Sequence, residues 1–144
     1  LSFDTRTHRC INRFSNQDGT ITSSISVSGK NMAVGAESGV VNLYSSSGQR
    51  IKSIMNLQTS CDFTRFNHDG QIMAFSSRRE QDTLKLLHTP SGSVFSNWPT
   101  SKTPLGYVWS MDFSPKSKFM AIGNDQGKCL LYKLNHYNQN SGST

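Results

Sequence analysis

The sequence is poor in long hydrophobic segments, in charge and in cysteine. No apolar stretch approaches the roughly 18 residues that a membrane-spanning helix needs, and the N-terminus lacks the charged and apolar regions of a secretory signal. The three cysteines, Cys10, Cys61 and Cys129, form neither a C-x-x-C metal motif nor an even-numbered disulfide framework. These absences predict a soluble protein of a reducing compartment that has no membrane partner.

Charge is scarce but unbalanced. Charged residues make up 17% of the chain and apolar residues 34%, a composition that argues against intrinsic disorder. The 15 lysines and arginines exceed the 9 acidic residues and give a net charge of +6. This excess favours contact with polyanions such as nucleic acid. A basic but merely solvated surface would account for it equally well.

A repeated unit of about 44 residues organises the chain. The dipeptide Met-Ala occurs three times, an apolar residue stands eight positions before each alanine, and three leucines follow at a spacing of 44. The positions are Met32-Ala33, Met73-Ala74 and Met120-Ala121 for the dipeptide, Ile25, Phe66 and Phe113 for the apolar residue, and Leu43, Leu87 and Leu131 for the leucines. A repeat of about 40 to 45 residues with short strands is typical of WD-type propeller blades, each a four-stranded sheet.

The pattern of strands and turns predicts an all-β chain that forms a partial WD-repeat β-propeller, about three and a half blades of a larger, seven-bladed ring. In the middle unit the predicted strands are Thr64–Phe66, Ile72–Ser76, Thr83–Leu87 and Val94–Trp98. The predicted divisions are the end of a preceding blade at 1–20, blades at 21–59 and 60–104, a last blade without its outer strand at 105–137, and a disordered tail at 138–144. Aromatic residues on strands are expected to pack between blades rather than to stack on bases, and these are Phe63, Phe66, Trp109, Phe113, Phe119 and Tyr132.

Several strings of residues are more specific than the repeat itself. They are Arg9–Phe14, Gly39–Tyr44, Ile54–Leu57, Val94–Pro99, Met111–Pro115 and Leu134–Tyr137. With these strings the chain resembles the C-terminal part of the U3 small nucleolar RNA-associated protein 18 family over almost its whole length. The Trp-Asp positions of the repeats depart from the WD pattern, since they read Phe3-Asp4, Tyr44-Ser45, His88-Thr89 and Tyr132-Lys133.

The resemblance implies a noncatalytic scaffold subunit of the small-subunit processome, which matures pre-18S ribosomal RNA. The implied location is the nucleus and the nucleolus. The implied partners are processome subunits of the periodic tryptophan protein two subcomplex, with pre-ribosomal RNA or U3 small nucleolar RNA as a further candidate. A generic WD-repeat adaptor of another intracellular complex is the alternative.

No arrangement of residues points to catalysis. The segment Gly123–Lys128 resembles a phosphate-binding loop, but it has one residue too few between its glycines and lies between two predicted strands. The histidines His8, His68, His88 and His136 lack metal-ligand spacing, and no G-x-S-x-G motif occurs. The sequence therefore predicts no enzyme activity, no cofactor, no metal and no small-molecule substrate.

Basic residues and one tryptophan are the candidate contact residues. Arg78 and Arg79 lie in a polar loop, 77–82, that is longer by three residues than its counterpart in the first full blade, and binding residues are often placed on such loops. The other candidates are Lys116, Lys118 and Lys128 around the turns of the last blade, and Trp98 at an outer edge. Contact with RNA phosphates would weaken steeply with salt and show little sequence preference. A solvated loop and a sequence-specific RNA binder are the alternatives.

Overall fold

The computed structural model describes residues 2–12, 20–29, 31–45, 47–95, 98 and 105–134. These residues form thirteen β-strands and no helix. In this part of the chain there is accordingly no helix long and apolar enough to span a membrane. The predicted all-β class is confirmed.

The strands form antiparallel sheets in which sequence neighbours are also neighbours in space. The first sheet has β1 (Ser2–Phe3) and β2 (Cys10–Asn12). The second has β3 (Thr22–Ser28), β4 (Asn31–Ala36), β5 (Val41–Ser45) and β6 (Arg50–Ile54). The third has β7 (Phe63–Phe66), β8 (Ile72–Ser76), β9 (Lys85–His88) and β10 (Ser93–Val94). The fourth has β11 (Val108–Phe113), β12 (Phe119–Asn124) and β13 (Cys129–Lys133).

The third sheet is the centre of the fold because another sheet covers each of its faces. Its strand β8 consists of four apolar residues and Ser76, and every residue is buried. Successive side chains of a strand point to opposite faces, so Met73 and Phe75 pack with the second sheet while Ile72 and Ala74 pack with the fourth. Burial of both faces of a four-stranded meander against neighbouring sheets is the packing of propeller blades.

The pairing of β8 with β9 corrects the alignment of the repeats. The alanines of the Met-Ala dipeptides lie opposite leucines in three pairs, Ala33 with Leu43, Ala74 with Leu86 and Ala121 with Leu131. The spacing of 44 residues therefore assigned Leu87 to a repeat position that Leu86 occupies in the structure. Leu87 lies opposite Met73 instead. The Trp-Asp position of the third sheet is likewise Leu87-His88 and not His88-Thr89. The cause is the connection from β8 to β9, which is longer than its counterparts by two residues rather than by three.

The exposure of Leu131 shows that the described residues cover only one of the two faces of the fourth sheet. The equivalent leucines, Leu43 and Leu86, are 1% and 6% exposed because a following sheet packs on them, whereas Leu131 is 67% exposed. Phe119 lies on the same face of β12 as Ala121, which is opposite Leu131, and Phe119 is exposed too. At the other end of the stack, Ile25 of the second sheet is exposed. Open faces of this kind agree with the arc of a propeller rather than with a closed ring.

The predicted aromatic core holds for four of its six members. Phe66 and Phe113 are buried, and the partly buried Phe63 and Tyr132 pack against the cluster between the third and fourth sheets. Trp109 and Phe119 are exposed, so the prediction that these two would pack between blades was wrong.

The predicted strands of the middle unit agree best at its centre. The strand β8 has the predicted bounds, whereas β9 begins at Lys85 instead of Thr83 and β10 ends at Val94 instead of Trp98. The fourth sheet has three strands among the described residues, and the predicted tail at 138–144 lies outside them.

Candidate functional site

The loop that carries Arg78 and Arg79 is held in one conformation by buried hydroxyl groups. Ser77 is fully buried, and its backbone N–H donates to Thr83 Oγ1 at 3.2 Å. The Thr83 hydroxyl donates in turn to the Ser77 carbonyl at 2.8 Å, and the Thr59 hydroxyl donates to Ser77 Oγ at 2.7 Å. These bonds close the base of the loop, so its two arginines project from a fixed frame rather than from a flexible segment.

Asp82 ties the far side of the same loop to the fourth sheet. It adopts a left-handed conformation with φ of 56°, and its Oδ1 accepts hydrogen bonds from the backbone N–H groups of Leu105 and Gly106 at 2.7 and 2.9 Å. The Asp82 N–H donates to the Gly106 carbonyl at 2.9 Å. A carboxylate that accepts two backbone bonds is a strong local anchor, so the loop belongs to both sheets.

Arg78 crosses from the third sheet to Trp109 at the start of the fourth. Its guanidinium carbon lies 5.3 Å from the centre of the indole ring. The Nε and Nη2 groups both donate to the Trp109 carbonyl oxygen, at 3.2 and 2.9 Å, and the Arg78 backbone N–H donates to Asp62 Oδ2 at 2.9 Å. A cation over an aromatic face, fixed by two hydrogen bonds, is an ordered arrangement. We call this region the Arg78–Trp109 surface; it consists of Arg78, Arg79 and Trp109.

A β-bulge places Trp109 on the surface. Met111 and Phe113 face the core, so regular alternation along β11 predicts that Trp109 does the same. The pairing with β12 shifts between Val108 and Ser110, however, and leaves Trp109 as the extra residue. Val108 takes the buried position, and Trp109 is 52% exposed. Bulges commonly redirect a side chain in this way, and they have no reliable signal in a single sequence.

The charges around this surface leave Arg79 without an acidic partner. Its backbone N–H donates to Ser77 Oγ at 3.2 Å, and its side chain is exposed. Within the described residues, no ion pair involves Arg78 or Arg79. The nearby Asp112 is paired with Arg65 at 3.0 Å, and Asp62 accepts bonds from Ser60 and Arg78. Glu80 follows Arg79 in the loop, so the exposed arginines lie among carboxylates although neither forms an ion pair there.

The remaining predicted contact residues lie in three other places. Lys128 is exposed in the connection from β12 to β13, at the same end of the strands as Arg78. Lys116 and Lys118 lie in the connection from β11 to β12, at the opposite end. Trp98 is half-buried and packs edge-on against Tyr132, with ring centres 5.4 Å apart. The structure therefore does not bring the six candidates into one patch, and it adds Trp109, which the sequence pattern assigned to the core.

A serine and a histidine meet at the opposite end of the strands. His68 Nδ1 lies 2.6 Å from Ser117 Oγ, and the His68 backbone N–H donates to the same oxygen at 3.3 Å. Ser117 is fully buried, with φ of 58°. No substrate can reach a hydroxyl in that position, so the pair links two turns of neighbouring sheets and does not form a catalytic dyad. Among the described residues, no group of three His, Cys, Asp or Glu side chains is placed to hold a metal ion.

Cys61 is enclosed near the connection between the second and third sheets. Burial raises the pKa of its thiol to about 11. The hydroxyls of Ser23 and Ser24 donate to the Cys61 carbonyl at 2.5 and 3.0 Å. Because a thiol rather than a thiolate is present at neutral pH, Cys61 is a packing residue and not a nucleophile.

Sequence comparison identifies relatives along most of the chain. A protein of Arabidopsis thaliana named U3 small nucleolar RNA-associated protein 18 homolog is 43% identical over 143 residues, which is 94% of this chain and 26% of the relative. The U3 small nucleolar RNA-associated protein 18 of Saccharomyces cerevisiae is 50% identical over 113 residues, 74% of this chain and 19% of the relative. The human homolog is 38% identical and covers 94% of this chain and 26% of its own length.

The chain belongs to the U3 small nucleolar RNA-associated protein 18 family. It matches the C-terminal region of these relatives and spans about a quarter of their length. No family model matches the chain. The relatives' names indicate no enzyme activity.

Comparison with solved structures supports the fold of this family member. A WD-repeat propeller chain in the crystal structure of the mitotic checkpoint complex superposes with a TM-score of 0.74 over 93% of this chain and 41% of its own length. The two sequences are only 13% identical, so the likeness concerns the fold alone. The predicted partial WD-repeat propeller is confirmed.

Proposed function

We propose that the chain is part of a noncatalytic WD-repeat scaffold that acts in nucleolar pre-18S ribosomal RNA processing and small ribosomal subunit biogenesis. The observation that carries the proposal is the alignment of 94% of the chain with proteins named for association with U3 small nucleolar RNA, at 38 to 43% identity. Propeller folds host many functions, so the sequence relationship supports the assignment and the fold alone would not.

The proposed architecture is a larger, seven-bladed ring. This chain covers 41% of the WD-repeat propeller chain on which it superposes, which supports a ring with more blades than this chain supplies. In the same proposal, the units at 21–59, 60–104 and 105–137 are blades, and 1–20 ends a preceding one. The exposed Leu131 then packs against a further blade, as Leu43 and Leu86 do against theirs.

The proposed mechanism is the presentation of rigid loops to other subunits. The loop with Arg78 and Arg79 is anchored on both sides by hydrogen bonds, so binding would cost little ordering entropy. Its partners are processome subunits, proposed to be those of the periodic tryptophan protein two subcomplex. Pre-ribosomal RNA or U3 small nucleolar RNA is the proposed nucleic-acid partner, and the nucleolus is the proposed location.

Purification of the tagged protein from cells that make it tests this assignment. Co-purification of U3 small nucleolar RNA and of processome proteins, with nucleolar fluorescence of the tagged protein, is the expected result. A WD-repeat protein of unrelated function, tagged in the same way, is the control. Recovery in a stable complex that contains no processome subunit would show a generic adaptor instead.

A further inference from the structure

We propose that the Arg78–Trp109 surface binds an unpaired base of a single-stranded RNA by stacking, with the adjoining phosphate at Arg79. This inference rests on the proposed function, which gives the protein an RNA-containing assembly, and it deepens it by naming the RNA form and the contact. The surface lies at one end of the strands, where the loop between β8 and β9 meets the bulge of β11.

The stacking platform is already assembled. The Arg78 guanidinium lies over the indole at 5.3 Å and is fixed by two hydrogen bonds to the Trp109 carbonyl. Both side chains are exposed, so the planar cation and the uncovered part of the ring face solvent together. Unpaired bases stack on aromatic rings and on arginine planes. A base that stacks here adds a third layer without first having to order either side chain.

Arg79 is the group proposed to contact the phosphate. Arg78 donates its two described side-chain bonds to a neutral carbonyl and retains its full charge toward solvent. Arg79 is the next residue in the fixed loop and has no ion-pair partner among the described residues. Asp62, Glu80 and Asp82 lie in or beside the same loop and roughly balance Arg78 and Arg79 in charge, so stacking, and not net positive charge, must carry most of the affinity. The base and its phosphate would therefore meet complementary groups side by side.

Single-stranded RNA fits this surface better than two other polyanions do. In an RNA duplex each base is covered on both faces, so the platform would find no base to stack on. An acidic peptide would pair with the arginines but would gain little from the arginine and indole planes. The surface thus predicts a preference that depends on exposed bases and not only on charge.

Fluorescence of Trp109 gives a direct test. The chain has two tryptophans, and Trp98→Phe leaves Trp109 as the sole reporter while keeping an aromatic ring against Tyr132. We expect an oligouridine of about ten nucleotides to quench this emission at low salt. A duplex RNA of equal length and inorganic polyphosphate should bind more weakly or without comparable quenching.

Matched substitutions separate stacking from charge. Arg78→Lys keeps the charge and removes the plane, and it should weaken oligouridine binding about 5- to 150-fold, the range that corresponds to one lost base stack. Arg79→Lys should change binding less than about threefold because a phosphate contact tolerates either cation. Arg79→Ala should lower the salt dependence by about one unit of slope. Arg50→Ala, on the outer strand β6 of the second sheet, removes an exposed cation outside the candidate residues; it is the control and should change binding little.

The outcomes distinguish this inference from the proposed function. Equal quenching by polyphosphate, equal binding by Arg78→Lys, or a stronger response to an acidic peptide would each overturn the stacking interpretation. If Arg78→Lys fails to fold by circular dichroism, the comparison of oligouridine with duplex RNA on the Trp98→Phe chain decides alone. A protein that co-purifies with U3 small nucleolar RNA but whose Trp109 emission ignores oligouridine would refute this inference and leave the proposed function standing.

Discussion

Replacement of Gly39 by alanine should destabilise the chain more than replacement of Gly127, the glycine at the equivalent turn of the fourth sheet. Gly39, between β4 and β5, and Gly127, between β12 and β13, both adopt positive φ angles, 89° and 75°. A Cβ atom at Gly39 would lie 2.5 Å from the Leu57 carbonyl oxygen and 2.8 Å from that of Thr59. A Cβ atom at Gly127 would meet nothing within 4 Å.

The expected difference follows from separating backbone strain from steric contact. Alanine in the left-handed region costs about 1 to 2 kcal/mol at either position. At Gly39 the backbone of residues 57–59 must also move by roughly 1 Å, and overpacking of this kind costs a further 1 to 3 kcal/mol or so. Gly39→Ala should therefore lower the free energy of unfolding by about 2 to 5 kcal/mol, and Gly127→Ala by about 1 to 2 kcal/mol.

Urea unfolding of the chain, followed by tryptophan emission and by far-ultraviolet circular dichroism, measures both losses. Parallel slopes against urea concentration are needed so that the change in midpoint reports stability. If the two substitutions cost the same within about 0.5 kcal/mol, the close approach of the segment 57–59 to Gly39 is not part of the folded state. The packing described between that turn and the connection to the third sheet would then be refuted.

Four further outcomes are expected. Phe75→Ala empties the largest fully buried side-chain position and should cost about 3 to 5 kcal/mol of unfolding free energy by urea titration; a loss below about 1 kcal/mol would contradict its burial. Burial raises the pKa of Cys61 from 9.0 to about 11, so Cys61 has about 100-fold less thiolate than an ordinary cysteine. Iodoacetamide should therefore label the exposed Cys129 before Cys61, and peptide mass spectrometry would show the order. Because folding favours the protonated Cys61 thiol, its contribution to stability is complete below pH 9.0 and is lost as the pH rises through about 11; a rise in melting temperature across that range would contradict it. The exposed Arg65–Asp112 pair should show a coupling energy of only about 0.2 to 1 kcal/mol in a double-mutant cycle, and a value above 2 kcal/mol would indicate a much drier site than the structure has.

The sequence predicts the fold of this chain best at a central strand that is buried on both faces. The strand β8 agrees at both ends with the prediction because the apolar run Ile72–Phe75, followed by the buried Ser76, lies between turn residues. The prediction is less accurate at β9, where Thr83 has strand propensity but uses its hydroxyl to close the loop on Ser77. Propensity describes a residue's average preference, and a hydrogen bond to a distant part of the loop overrides it.

The candidate site is only half predictable from the sequence. The length and polarity of the loop identified Arg78 and Arg79, because an insertion on a rigid scaffold is visible in the repeat alignment. Trp109 could not be found in this way, since its period places it with Met111 and Phe113, and only the bulge turns it outward. The same limit applies to Leu87, where equal spacing along the chain does not mean equal pairing across the sheet.

The bulge in β11 also places the side chain of one residue, Trp109, on the surface and outside the core. Without Trp109, the alternation of Val108, Ser110 and Met111 would be regular, and the pairing of β3 with β4 shifts in the same way between Thr22 and Ser24. The extra position belongs to the sheets, and the core does not use the tryptophan side chain there. Its side chain could be exchanged for another of different size, or removed, at little cost to packing. A position of this kind lets the surface side chain change among descendants of one gene, or be redesigned, while the sheets beneath it keep their structure.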